Sequence, residues 1–210
     1  IETRMTYGDP ATVLRHASAN AQLTVVGARG GNRVLSALGS VAVGVATTIP
    51  GPVVVIHPGA QSASDGPVLV GVDGSTTSNA AMTFGFEAAS LRGVPLVAVH
   101  CWTDPVIVGD MSYYAEGIVD PAYIETEQRL FLSKALVPWS AAFPDVVVKQ
   151  VVVHGRPAPA LLEYSRTAQL TVVGSHGRNV MTGMLLGSTS VALITHSPSP
   201  VVIVRAVSTG

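Results

Sequence analysis

Seven residues, Ala21-Gln22-Leu23-Thr24-Val25-Val26-Gly27, recur letter for letter as Ala168-Gln169-Leu170-Thr171-Val172-Val173-Gly174. A long-range repeat constrains the fold strongly, because both stretches are then expected to build the same local structure. The match extends outward. Gly8-Asp9-Pro10-Ala11 stands opposite Gly155-Arg156-Pro157-Ala158 at the same offset of 147, and Pro52-Val53-Val54 opposite Pro200-Val201-Val202 at 148. Two copies of one unit are therefore expected, and they are unequal. The second covers residues 68–205, whereas the first, residues 1–57, begins opposite Val148 and has no counterpart to residues 68–147. Residues 58–67, prolines enclosing Gly, Ser, Ala, Gln and Asp, suit a linker.

Within the second copy, short β-branched runs closed by glycine predict buried parallel strands, and they alternate with helical patterns. Val68-Leu69-Val70-Gly71 leads through Gly74-Ser75 into a helix capped by Ser75 that runs to Arg92 and stops at Gly93. A strand at residues 96–101 and a long loop at 102–120 containing Tyr113 and Tyr114 follow. Next comes a helix opening on Pro121 and running toward Leu136, with Pro138 ending or kinking it. Further strands are expected at 146–153, 170–173 and 201–204, with a helix at 157–168 and another after Gly187. The first copy is expected to keep strands near residues 1–7, 23–27 and 53–57. Such alternation predicts a doubly wound parallel α/β sheet.

Charged residues make up 12% of the 210, against a usual ~25%, and aromatics 5%, so the core must be aliphatic. A net charge of −1 with scattered arginines gives no general pull on nucleic acid. The single cysteine, Cys101, excludes an internal disulfide and a thiolate zinc cluster, and no segment reads as a membrane span or signal peptide. A cytoplasmic protein without nucleic-acid or membrane partners is expected.

The chemistry concentrates after the fourth strand of the second copy. Gly174, two residues, Gly177, nine residues, then Gly187-Ser188 lead into the apolar helical run Val191-Ala192-Leu193-Ile194. Glycines let main-chain N–H groups approach an anion, and a helix N-terminus adds free N–H donors and the positive end of its dipole. The pattern suits polyphosphate, although a tight strand-to-helix turn needs the same glycines. No GxxxxGK[ST] occurs, which excludes a Walker-type loop. Asp73-Gly74-Ser75 also follows a strand. In doubly wound sheets ligands lie outside the carboxyl ends of strands at a topological switch point, so adjacent first and fourth strands would bring a carboxylate and a phosphate cradle to one crevice.

The spacing resembles the nucleotide loop of ATP-binding universal stress proteins. The resemblance covers the second copy and what remains of the first, through Val70-Gly71-Val72-Asp73-Gly74-Ser75, His100, Gly155-Arg156-Pro157 and the glycine loop. It implies a five-stranded parallel sheet in the order 3-2-1-4-5 and pairing of the copies through their last strands, residues 53–56 and 201–204. It further implies that Asp73 contacts the nucleoside, the main chain of Cys101 lies against adenine, Gly174 lies near the ribose, and Gly177, Gly187, Ser188, Thr189 and Ser190 hold phosphates. Ser75 belongs to the same site; His176 and Arg178, on physical grounds, face phosphate or solvent. The corresponding first-copy residues are Gly27, Gly30, Gly39 and Ser40, but the second gap there is eight residues, and Ala42 replaces Ser190. That site has no counterpart to Asp73.

The implied function is a nucleotide-dependent stress-response module binding ATP, with Mg²⁺ carried by the nucleotide. The alternative is a slow ATPase or autokinase using Ser188, Thr189 or Ser190. A redox or flavin protein has less support, since there is no CxxC and no GxGxxG. A missing fragment or second chain completing the first copy, and homo-oligomerisation, are further expectations.

Overall fold

Seven strands lie in one sheet in the order β1-β2-β7-β6-β3-β4-β5. The computed structural model describes residues 1–28, 40–60, 64–103, 121–178 and 186–206. The strands are β1 (Thr24–Gly27), β2 (Val53–Ile56), β3 (Val68–Gly71), β4 (Leu96–Trp102), β5 (Val148–His154), β6 (Leu170–Gly174) and β7 (Val201–Val204). The helices are α1 (Pro10–Ala17), α2 (Ser40–Thr48), α3 (Thr76–Arg92), α4 (Pro121–Ala142), α5 (Pro157–Tyr164) and α6 (Ser188–His196). Neighbouring strands are parallel except at β2 and β7, which run antiparallel.

The sheet is larger than the five strands expected of the second copy. Residues 68–205 do supply five strands, lying β5-β4-β3-β6-β7, but β2 and β1 continue the same sheet beyond β7. The last strands of the two copies meet: Val53 faces Ile203, Val54 faces Val202, and Val55 faces Val201. An all-valine or isoleucine strand offers a main-chain edge with aliphatic faces on both sides, and antiparallel pairing of two such strands buries both.

The sheet is covered on two faces. Leu14 of α1, Val45 of α2, Leu161 of α5 and Leu193 of α6 pack on one side with Val55, Val99, Val173 and Ile203. Met82 and Phe86 of α3 and Leu132 and Leu136 of α4 pack on the other with Val54, Val70, Val172 and Val202. Over β1 no described helix packs on the second face and Val25 is 56% exposed, although the core on the first face reaches Val26.

Local chemistry explains most boundaries. Ser75 Oγ accepts the Ser78 N–H at 3.1 Å to start α3, and Gly93, at φ 63°, ends it. Asp9 caps α1 through the Thr12 N–H at 2.9 Å, with Pro10 in the first turn. Several expected boundaries differ. Residues 1–7 form no strand. α5 stops at Tyr164 rather than 168, where Ser165 turns its hydroxyl onto the Leu162 carbonyl at 2.7 Å and draws the chain out of the helix. Pro138, expected to end or kink its helix, does not end it, and α4 runs on to Ala142. The proline removes one N–H from the ladder, but the turn beyond it is held from outside, since Trp139 Nε1 donates to Thr83 Oγ1 of α3 at 3.0 Å. Trp102 belongs to β4, not to a loop; residues 104–120, with Tyr113 and Tyr114, lie outside the described residues.

Candidate functional site

The carboxyl ends of β3 and β6 are adjacent, because these strands pair in parallel from Val68 opposite Leu170 to Val70 opposite Val172. Strand order reverses here, with β4 following β3 on one side and β7 following β6 on the other. A cavity of about 960 Å³ opens at this point.

One wall is the turn between β3 and α3. The Asp73 carboxylate accepts the Ser75 N–H at 2.9 Å through Oδ1, which fixes the turn. Gly74 has φ +81°, and a Cβ there would also lie 2.8 Å from Phe131 Cζ, so conformation and space both demand glycine. The opposite wall is the loop after β6. Its Arg178 N–H donates to Asp73 Oδ2 at 3.2 Å, and a Cβ on Gly177 would stand 2.7 Å from the same oxygen. The two loops are thereby pinned to each other.

Arg178 lines the cavity while being bonded to its wall. Its Nε donates to the Asp73 carbonyl, and its guanidinium lies 4.9 Å from the centroid of the Phe131 ring. His176 is anchored through its carbonyl, which accepts the Thr77 hydroxyl at 2.5 Å, while its Nδ1 lies 2.9 Å from Ser175 Oγ.

Gly187 is the N-cap of α6 and supplies no side-chain cap, so the first-turn N–H groups have no capping side chain where they meet the cavity. Ser188 and Thr189 line that end. Ser190 also lines it but is 3% exposed, and its Oγ donates to the Gly174 carbonyl at 2.8 Å, tying the helix to β6. Residues 179–185 lie outside the described residues.

The far wall comes from β4 and α4, with His100, Cys101, Trp102, Tyr123 and Gln128. His100, 1% exposed, has Nδ1 at 2.7 Å from the Val72 carbonyl and Nε2 at 3.0 Å from Gln128 Oε1. Burial alone raises the Cys101 thiol to about 11, so at neutral pH it is a small apolar group rather than a nucleophile. Trp102 stacks on His154 at 4.2 Å between centroids.

The cavity thus gathers Asp73, Cys101, Gly174, His176, Gly177, Arg178, Gly187, Ser188, Thr189 and Ser190. Ser75 stands behind it as a helix cap. Of the first-copy residues, Gly27 ends β1 and Ser40 begins α2, neither of them lining this cavity, and Gly30 and Gly39 lie outside the described residues. Sequence reasoning missed Gln128, Thr77 and Phe131. Each is an ordinary residue within a helical pattern, and only the approach of α3 and α4 to the strand ends gives it a role. Among the described residues no His, Cys, Asp and Glu cluster suits a metal ion.

These features define a doubly wound α/β protein with a crevice at its topological switch point. Residues 66–205 match the Universal stress protein family, and the chain belongs to that family. It is 42% identical over 214 residues to a universal stress protein of Mycolicibacterium smegmatis, covering 98% of this chain and 69% of the relative. It is 41% identical over 204 residues to one of Mycobacterium tuberculosis strain H37Rv, covering 95% of this chain and 63% of the relative. The chain therefore spans about two thirds of the length of these curated relatives. A crystal structure of a universal stress protein from Archaeoglobus fulgidus aligns with a TM-score of 0.63 at 25% identity, over 95% of this chain and 66% of that one.

Proposed function

We propose that this chain is a nucleotide-binding regulatory module that takes ATP into the crevice between β3 and β6. The observation that carries this reading is the junction of Asp73 with the glycine loop beside the N-terminus of α6. A carboxylate able to accept from ribose hydroxyls and a helix end offering N–H groups to phosphate line one cavity of about 960 Å³, ample for a nucleoside triphosphate. Gly177, Gly187, Ser188 and Thr189 hold the phosphates, Gly174 lies by the ribose, and the strand end at Cys101 faces the base. Mg²⁺ enters with the nucleotide.

A binding role is favoured over catalysis by what the charged groups at the phosphate end are doing. Asp73 and Arg178 bond to each other's loop, which leaves neither poised as a base or a transition-state clamp. Occupancy regulates only if ATP binds two conformations unequally, and the contact between the two loops is the element that a ligand at this crevice would bias.

The partner proposal concerns the second face over β1. Val172 is fully buried beneath α3, whereas its repeat equivalent Val25 is 56% exposed. We assign that face to a strand and helix of the kind that β3 and α3 provide. The module acts in the cytoplasm; among the described residues no helix is long and apolar enough to cross a membrane.

Denaturing the purified protein and chromatographing the released small molecules tests the central proposal, together with calorimetric titration of Mg-ATP. Stoichiometric adenine nucleotide, or saturable binding by the emptied protein, is expected. No nucleotide and no binding would overturn it.

A further inference from the structure

The outer face of α4 carries an apolar stripe. Tyr123, Leu130 and Val137 follow one another at intervals of seven and are 62%, 44% and 62% exposed. Seven residues are close to two helical turns, so the three side chains lie nearly above one another and drift by only about 20° per step. Leu132 and Leu136, on the opposite side of the same helix, belong to the core. α4 therefore has a second apolar face about 21 Å long, turned away from the first. Thr126 and Ser133 beside the stripe are short, which lets another helix approach closely. α4 packs over β4 and β5, and six strand spacings of about 4.8 Å separate β5 from β1. A strand and helix added beside β1 therefore leave this face uncovered.

The charges along the stripe decide what it fits. Glu125 and Arg129, off to one side, are paired with each other at 2.5 Å. Glu127 and Lys134, along the other side, are exposed and form no ion pair among the described residues. They stand equally far on either side of the point between Leu130 and Phe131. A second α4, antiparallel and related by a twofold axis through that point, sets each copy's Glu127 against the other's Lys134. Two ion pairs result, Leu130 meets Leu130 at the axis, and Tyr123 reaches toward Val137. A parallel copy would set like charge against like charge. We propose that this face is an interface between two copies of this chain, built by an antiparallel pair of α4 helices. One helix face buries less than a standard-size interface, so the dimer is a reversible one. Tyr123 and Glu127 also line the crevice, so the paired face adjoins its mouth, but the inference does not depend on what the crevice binds.

Sedimentation velocity of the chain from about 10 µM to about 1 mM tests the proposal. The wild type is expected to pass from monomer toward dimer over that range, and Leu130→Glu to stay monomeric throughout. Glu127→Lys or Lys134→Glu alone is expected to weaken dimerisation about ten-fold, and the double charge swap to restore it. A wild type that is monomeric at the top of the range overturns the proposal. So does a dimer that survives Leu130→Glu, or one that the double swap fails to recover. Leu130→Cys, next to the axis, gives a second readout. Mild oxidation is expected to yield a disulfide-linked dimer, whereas Leu91→Cys, at an 87% exposed position on α3, stays monomeric. Equal crosslinking of the two variants overturns the assignment.

Discussion

Val54 and Val202 hold the same place in the two copies and face each other across the antiparallel join of β2 and β7. The pairs on either side, Val53 with Ile203 and Val55 with Val201, are one pairing seen from each copy in turn. A self-complementary edge of this kind makes the join a local twofold. Arg205 strengthens it by donating from its guanidinium to the Ala46 and Thr47 carbonyls near the end of α2, where the helix dipole favours a cation.

The repeat supplies an internal control for burial. Val25 and Val172 lie in identical heptapeptides, yet they are 56% and 0% exposed. Val172→Ala is expected to cost about 1–3 kcal/mol, and Val25→Ala less than about 0.5 kcal/mol. Urea denaturation of both variants measures the difference. Equal losses would mean that a partner covers β1 in solution.

Gly177→Ala places a Cβ 2.7 Å from Asp73 Oδ2 and displaces the carboxylate that joins the glycine loop to the β3–α3 turn. ATP affinity is expected to fall about ten-fold, as for the loss of a charged hydrogen bond. The far-ultraviolet circular dichroism should be unchanged, since the loop lies outside the sheet. Calorimetry and a thermal melt separate the two effects.

Gly85→Ala tests the packing of α3 on the sheet, because its Cβ would stand 2.3 Å from Val70 Cγ2. Overpacking at this position is expected to destabilise by about 1–3 kcal/mol. The double variant with Val70→Ala should recover part of that loss, which a double-mutant cycle by chemical denaturation reads directly.

Cys101 carries a pH dependence with a definite sign. Burial raises its folded-state thiol from 9.0 to about 11, so the unfolded chain releases this proton first as pH rises. Its contribution to stability is present below pH 9 and is lost between about 9 and 11. Cys101→Ala should flatten that part of the stability curve. Alkylation by iodoacetamide at pH 8 should be slow in the folded protein and fast in urea.

Ser190→Ala separates structure from binding. The buried hydroxyl serves the Gly174 carbonyl, so the variant is expected to lose about 1 kcal/mol of stability. Ser188→Ala, at an exposed first-turn position, should leave stability unchanged and weaken ATP instead. Paired melts and titrations check both.

Local rules were legible in the chain itself. The glycine-closed strands, the Ser75 cap and Gly93 stop of α3, and the loop between β6 and α6 follow from backbone sterics and hydrogen-bond supply, which depend on neighbours in sequence. The repeat likewise announced that β1 and β6 would be the same element, and the last-strand pairing was expected from the resemblance. Failures came where distant parts decide. Nothing in residues 1–7 says that no strand edge receives them, and Pro138 ends a helix only if no other helix holds the next turn, as Thr83 does through Trp139. Nor does the sequence show that Arg178, beside the glycine loop, meets Asp73 and Phe131.

The sequence by itself determined which segments become strands and helices and which glycines a close approach requires, because these are properties of short stretches of backbone. Only the tertiary structure decided that one heptapeptide is core and its twin is surface, and that His100 meets Gln128 across 28 residues of chain. Burial and hydrogen-bond partnership depend on what the rest of the chain places alongside, and no periodicity in the local sequence records it.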